Sequence, residues 1–414
     1  MKNQRLIRTA ASLVLLTGLF GFVQAQAVEL NGSIFTNLYS FRQSDFSRTQ
    51  SYSGARVTLI AWRDRFNRTL ELRTNFRYAA DLQDNSGIGP RFFVYETYLR
   101  LTNAPARSEF SLGRQFVYNS IQSNLMDGLQ ARYPINRVWA VSGFGGVSAL
   151  SSDPEHIQNF SYSGLIGATL AAQLQPTLHA SANLLFRKVD GRTSETRAGL
   201  DIGKEVGIWS LFGKGIFNAP HTRISELLGR VSVRPKDWYF AAEAFYREPS
   251  VSDNSLWSII DFDYYRQVRV EARRIVCKSM SVGGQLAYTA GSPDGTVQTR
   301  LSIASAWYSL GWSHQNGYGG DNDGFFGTLS ARVTPHIDIY AGTNLSTYKI
   351  DALTTERSDS YGSTAGVFWH GSAGFSVRAE GQWFRNRVIT SGTRFYLRAS
   401  KDFSIGKPAR KVRA

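Results

Sequence analysis

The sequence predicts an all-β fold: a transmembrane up-and-down antiparallel β-barrel of about 22 strands, with 20 possible and no plug domain. Three observations predict it. Polar and apolar residues alternate with a period of two from end to end. The connections between alternating segments are long and polar, then tight, in turn. Beyond the N-terminus, no run approaches the eighteen or more apolar residues of a membrane helix. Length alone, 414 residues, would otherwise suggest two or three domains. One Cys excludes a disulfide framework and a Cys-based zinc or iron–sulfur site. No Cys-x-x-Cys-His occurs, which excludes covalently attached haem, and no cofactor is expected.

Met1 to Ala27 reads as a secretory signal. Lys2, Arg5 and Arg8 supply the charged region, Ala10 to Val23 the apolar one, and Ala25-Gln26-Ala27 the small-x-small cleavage pattern. The expected division is therefore 1–27 signal peptide, 28–405 barrel and 406–414 basic tail. Of the formal +15, the signal and the tail carry seven positive charges, leaving +8 on the barrel. Its arginines are scattered along the chain rather than gathered in a patch, which argues against nucleic acid as a partner.

The alternation is clearest over Thr69–Tyr78. Leu70, Leu72, Thr74, Phe76 and Tyr78 fall on one face, and Glu71, Arg73, Asn75 and Arg77 on the other. Over 91–101, Phe93, Tyr95, Thr97, Leu99 and Leu101 oppose Glu96, Tyr98 and Arg100. Leu178, Ala180, Ala182, Leu184 and Phe186 oppose His179, Ser181 and Asn183. Val268, Val270 and Ala272 oppose Arg269, Glu271 and Arg273; Phe395, Leu397 and Ala399 oppose Arg394, Tyr396 and Arg398.

Long connections are expected at Phe41–Thr49, Asp81–Pro90, Tyr118–Met126, Leu150–Gln158, Pro249–Ile260, Gln315–Asp323 and Asp351–Ser358. Tight ones are expected at Asp64–Asn67, Asn103–Arg107, Pro134–Asn136, Gln175–Pro176, Pro235–Asp237, Pro335–His336 and Gly371–Ser372. Turn chemistry is weakest near Gly207 and Trp307, where fusion of strands would lower the count to 20. Gly128, Gly191 and Gly295 read as turn residues.

A soluble sandwich or propeller also alternates. Its apolar faces must meet each other, and 22 strands of this length would need a second apolar layer that the sequence lacks. Lipid supplies that layer, provided the sheet closes. Trp62, Trp139, Trp209, Trp238, Trp369 and Trp383 stand toward segment ends, where aromatic girdles occur.

In architecture the chain resembles the bacterial outer-membrane porin-like barrels. Ser111-Leu-Gly-Arg-Gln115 followed by Met126-Asp-Gly128 is similar to the porin segment where a strand ending in Gly-Arg leads into a loop. The resemblance implies that Tyr118–Met126 folds inward to narrow the pore, a stretch short for that task. Porin-like barrels usually end on an aromatic residue; here Phe403 is the candidate, with eleven residues after it.

If the polar face points inward, the pore is lined by Arg56, Arg73, Arg77, Arg100, Arg187, Arg197, Arg230, Arg247, Arg269, Arg273, Arg300, Arg332, Arg378 and Arg398, with Glu71, Glu96, Glu271 and Glu380 among the fewer acids. An excess of Arg implies an anion-favouring field. Strands roughly 4.8 Å apart, tilted by about 40°, give a backbone diameter of roughly 40–45 Å. The expected function is passive diffusion of small, preferentially anionic solutes across a bacterial outer membrane. The alternative is an unplugged barrel that sheathes a periplasmic or surface partner, such as a multihaem cytochrome in an electron conduit. An enzyme is not expected. Trp312-Ser-His314-Gln-Asn-Gly317 distantly resembles the His-x-Ser-Asn-Gly stretch of outer-membrane phospholipase, but Asn316 stands where the Ser nucleophile would be. Asp321-Asn-Asp-Gly324 has calcium-ligand types without the later Glu and is expected to be a loop turn.

Overall fold

The computed structural model describes residues 29–43, 46–82, 90–153, 156–220, 222–248, 264–290, 295–317, 320–349 and 356–406. The signal segment, the tail beyond Gly406 and most of the connections Asp81–Pro90, Pro249–Ile260 and Asp351–Ser358 lie outside the described residues.

Twenty-two strands form one sheet. They are β1 Glu29–Gln43, β2 Phe46–Arg63, β3 Thr69–Asp81, β4 Arg91–Ala104, β5 Ser108–Tyr118, β6 Ser123–Pro134, β7 Trp139–Ser148, β8 Gly164–Gln175, β9 Leu178–Val189, β10 Arg192–Val206 and β11 Trp209–Asn218. They continue as β12 Arg223–Val233, β13 Trp238–Arg247, β14 Tyr265–Cys277, β15 Met280–Ala290, β16 Thr296–Ser305, β17 Tyr308–Gly317, β18 Asn322–Thr334, β19 Ile337–Tyr348, β20 Ser358–His370, β21 Phe375–Arg385 and β22 Gly392–Gly406. A single helical turn, α1 Phe160–Ser163, is capped by the Asn159 side chain. Each strand pairs antiparallel with the next, and β1 closes on β22 from Glu29↔Gly406 to Gln43↔Gly392. Closure leaves the sheet without a free first or last strand.

Both weak junctions are real turns. Val206 pairs with Trp209 around Gly207, whose φ of +58° suits glycine, and β16 ends at Ser305 before β17 begins at Tyr308. The count is therefore 22, not 20. Asp190 and Gly191 (φ +52° and +76°) close a two-residue hairpin between β9 and β10, as the type I′ turn requires.

Several connections differ from expectation. β1 and β2 stay paired out to Gln43↔Phe46, so this connection is tight. Cross-strand Ser40–Thr49 hydroxyl bonding and Phe41 against Phe46 extend the ladder through what reads as a polar loop. Asn322, Asp323 and Gly324 belong to β18, because Asp323 has partners of its own there. Gly128 lies inside β6 rather than in a turn.

The register divides the sheet into two faces. On one, large apolar side chains stand widely exposed, among them Leu112 (59%), Leu184 (60%), Leu200 (67%) and Phe325 (60%). That is the convex, outer face, where curvature spreads side chains apart. Five of the expected Trp residues, 62, 139, 209, 238 and 369, lie on it at the short-turn rim. Trp383 lies on the same face toward the opposite rim.

Candidate functional site

Pairing puts all eighteen charged residues expected to line a pore on the inner face. The face was inferred from simple alternation, and one stretch of that alternation fails. Asn75 pairs with Glu96, but Phe76 pairs with Val94, leaving Tyr95 as a bulge. Below the bulge Thr97, Leu99 and Leu101 face outward as expected. Above it Phe93 turns inward, and Arg77 lies over both Phe93 and Tyr95, at 4.8 and 5.5 Å. One extra residue thus moves two rings to the polar face.

Inner arginines are held in two ways. Some are ion-paired: Arg73 with Glu71 at 2.9 Å, Arg269 with Glu243 at 2.8 Å, Arg378 with Glu380 at 2.7 Å. Three pairs use acids that the sequence reading left out: Arg100 with Glu109 (2.7 Å), Arg332 with Asp338 (2.9 Å) and Arg63 with Glu29 (3.4 Å). These acids sit beside turns or at the strand start, where alternation over a few residues is hard to read.

Other inner arginines lie on rings. Arg300 covers Phe326 at 4.5 Å, Arg394 covers Phe384 at 4.5 Å, and Arg398 covers Phe35 at 4.9 Å. Beneath each ring is a glycine of the adjoining strand: Gly311 under Phe326, Gly392 under Phe384, Gly54 under Phe35. Tyr340 repeats the arrangement between Gly366 and Arg378. The missing Cβ lets the ring lie flat on the wall, and the guanidinium then takes the ring's outer surface. The sequence signal was a glycine opposite an aromatic residue across a strand pair, visible only once the register is known.

Between β5 and β11 the inner face is different. Val117, Ile121, Met126, Phe144, Leu165, Leu185 and Ile216 form a buried apolar cluster there. All but Ile121 are strand residues with inward register. Ile121 belongs to the β5–β6 turn, which has bent into the barrel to reach them. A Cβ placed on Gly199 of β10 would lie 2.9 Å from Ile121 Cγ1 and 3.5 Å from Ser120 Oγ. Asn119 Nδ2 donates to the Leu184 carbonyl of β9 at 3.4 Å. Within the turn, Asn119 Oδ1 accepts from the Ile121 and Gln122 amides at 3.1 and 2.9 Å, which keeps the tip compact.

Pairing explains how the hairpin can leave the wall. β4 and β5 part above Thr97↔Arg114, and β6 and β7 part above Met126↔Ser148. The bend coincides with glycines in register, Gly113↔Gly128↔Gly146. Gly113 has φ +129°, a conformation that other residues rarely adopt. Ala149–Asp153 then covers the hairpin from outside: Val94 N donates to the Ser151 carbonyl at 2.9 Å. The stretch Tyr118–Met126 does fold inward, and its shortness is compensated because the ends of β5 and β6 go with it.

His314 and Asp323 lie on the outer face near the long-connection rim. Nδ1 of His314 is 2.7 Å from Asp323 Oδ1, and Arg357 donates to the other carboxylate oxygen at 2.6 Å. His314 is thus engaged with a carboxylate, and Trp312 stacks on its ring at 5.8 Å.

No family model and no curated protein matches the chain. Among solved structures it is similar to OccAB4 of Acinetobacter baumannii, with 7% identity and a TM-score of 0.44 over 91% of this chain and 98% of that one. It is similar to the translocation pore of the P pilus usher PapC, with 10% identity and a TM-score of 0.47 over 91% and 100%. It is also similar to OpdK of Pseudomonas aeruginosa, solved with vanillate, with 9% identity and a TM-score of 0.41 over 91% and 99%. The porin-like architecture expected from the sequence is the one the chain adopts: a closed, up-and-down, 22-stranded antiparallel barrel.

Proposed function

We propose that the chain is a bacterial outer-membrane channel through which small solutes diffuse passively, anions preferentially. The observation that carries this reading is the inner wall. Among the described residues, Arg77, Arg273, Arg300, Arg394 and Arg398 have aromatic rings against them rather than carboxylates. A ring seats a guanidinium without neutralising it, so these charges act on the lumen undiminished. Outer apolar side chains and the Trp-bearing short-turn rim support lipid as the surrounding medium.

The test is purified protein in a planar bilayer under a salt gradient. Steady conductance with a reversal potential on the anion side is expected. R273E together with R300E should move that potential toward cations. The shift should weaken at high salt, since the Debye length falls from about 10 Å at 0.1 M to about 3 Å at 1 M. A channel that ignores the sign of these substitutions would end the anion reading. Silence in the bilayer together with a stoichiometric haem protein in the purified barrel would favour the sheath instead.

A further inference from the structure

The hairpin that enters the lumen is fastened on its far side by an ion pair that the pore reading does not use. Arg114 of β5 and Asp127 of β6 face each other in bidentate geometry, Nε to Oδ1 at 2.8 Å and Nη2 to Oδ2 at 2.7 Å. Their register is outward, in line with Thr97 and Val147, where a charge would otherwise meet lipid. Yet Arg114 is only 6% exposed and Asp127 14%. What covers them is Ala149–Asp153, whose Leu150 carbonyl accepts from Arg114 Nη1 at 3.3 Å. One guanidinium therefore ties both strands of the hairpin to the segment that closes the wall behind it. The pair sits directly beyond the bend, one residue after Gly113 and one before Gly128.

We propose that Arg114 and Asp127 are the latch of the inward hairpin: positioning residues that hold its tip on β9 and β10 and so fix the open cross-section of the pore. Every alternative position of the hairpin separates the pair from Leu150. An outward swing would put both charges against lipid. A looser inward position would leave a gap behind the wall. Arg suits the task because its fork meets both carboxylate oxygens and a carbonyl at once, which Lys cannot do. The effect on the pore rests on the channel reading; the effect on the hairpin does not.

The experiment uses the full-length barrel with Ser120→Cys and Gly199→Cys in a Cys277→Ser background. The Ser120 hydroxyl lies 3.5 Å from where a Gly199 Cβ would be, so oxidation joins the two only when the tip is docked; the added Cβ also meets Ile121 Cγ1 at 2.9 Å, so every rate is compared with that of the same double-cysteine parent. Folding of each variant is first verified by its heat-modifiable gel band. R114A and D127N should slow disulfide formation by about tenfold, equivalent to about 1.4 kcal/mol of lost docking. R114K should fall between them and the parent. The swap R114D with D127R should recover part of the rate. In the reduced state, single-channel currents of R114A should be larger and noisier than those of the parent. Cross-linking of R114A, R114K and D127N at the parent's rate would overturn the latch, whatever the currents do. Slowed cross-linking in a barrel that never conducts would uphold the latch and remove the channel reading.

Discussion

The inner wall has two arcs that use glycine in the same way and finish it differently. From β16 around through β22 to β2, a glycine receives a ring and the ring receives an arginine, as in Gly54–Phe35–Arg398. From β5 to β11, Gly167 receives Phe144 and Gly199 receives Ile121, and the last layer is a piece of the chain itself. The first arc presents charge to the lumen. The second presents the back of a hairpin. A polar inner face is thus required only where water reaches the wall; where protein covers it, Leu165, Leu185 and Ile216 face inward at no cost.

The sharpest way to break this comparison is at the bend. Gly113→Val places a β-branched residue at φ +129°, with its Cβ 2.9 Å from Tyr98 Cα. Strain of order 1–3 kcal/mol adds to that overlap. The expected outcome is a barrel whose heat-modifiable folded band is largely lost. Gly381 lies on the outer face of β21, the strand that carries Arg378 of the other arc, with nothing within 4 Å of an added Cβ. Gly381→Val should leave that band unchanged. Equal yields from the two variants would mean that the hairpin does not need its bend.

That contrast also marks what was legible in the sequence. Period-two patterning carried the fold class, the strand count and the choice of polar face, because each strand repeats the same constraint over ten or more residues. The outer rim of Trp residues was legible for the same reason. What escaped were features that depend on a single residue or on register. The Tyr95 bulge reverses faces without any change in composition. Gly128 looks like turn punctuation, and only its alignment with Gly113 and Gly146 shows a bend across three strands. The connection at Phe41–Thr49 is polar enough for a loop but has hydroxyl and aromatic partners across the pair. Asp323 likewise sits in a stretch of loop-like composition, and its partners are His314, opposite it on the preceding strand, and Arg357, which lies beyond β19.

A second, smaller perturbation acts on docking alone. Ile121 is 8% exposed and sits against Phe144, Leu165, Leu185 and Ile216. Ile121→Ala removes apolar contact worth about 2–5 kcal/mol in a closed core. The barrel itself does not depend on that contact, so the folded band should persist. Hydrogen exchange should instead rise selectively over 119–125, with the amides of β16–β22 unchanged. Protection that drops uniformly would show that the hairpin and the wall are one cooperative unit, contrary to the two-arc description.

The smallest effect belongs to the other arc. Arg398 rests on Phe35, and Phe35 on Gly54, and the arginine is exposed as the last layer. Removing its charge forfeits a cation–π contact of about 0.5–1 kcal/mol at an exposed site. R398Q should therefore unfold at the same urea concentration as the parent, within the scatter of the measurement. Its reversal potential should still shift slightly toward cations, because one uncompensated lumen charge is gone. Glu243 provides the opposite sign. It accepts from Arg269 at 2.8 Å on the same inner face, so E243Q frees a guanidinium and should shift the potential toward anions. Two substitutions of opposite charge that move selectivity in opposite directions, with little change in stability, would identify the field as that of the wall. Shifts of the same sign in both would point to altered pore shape instead.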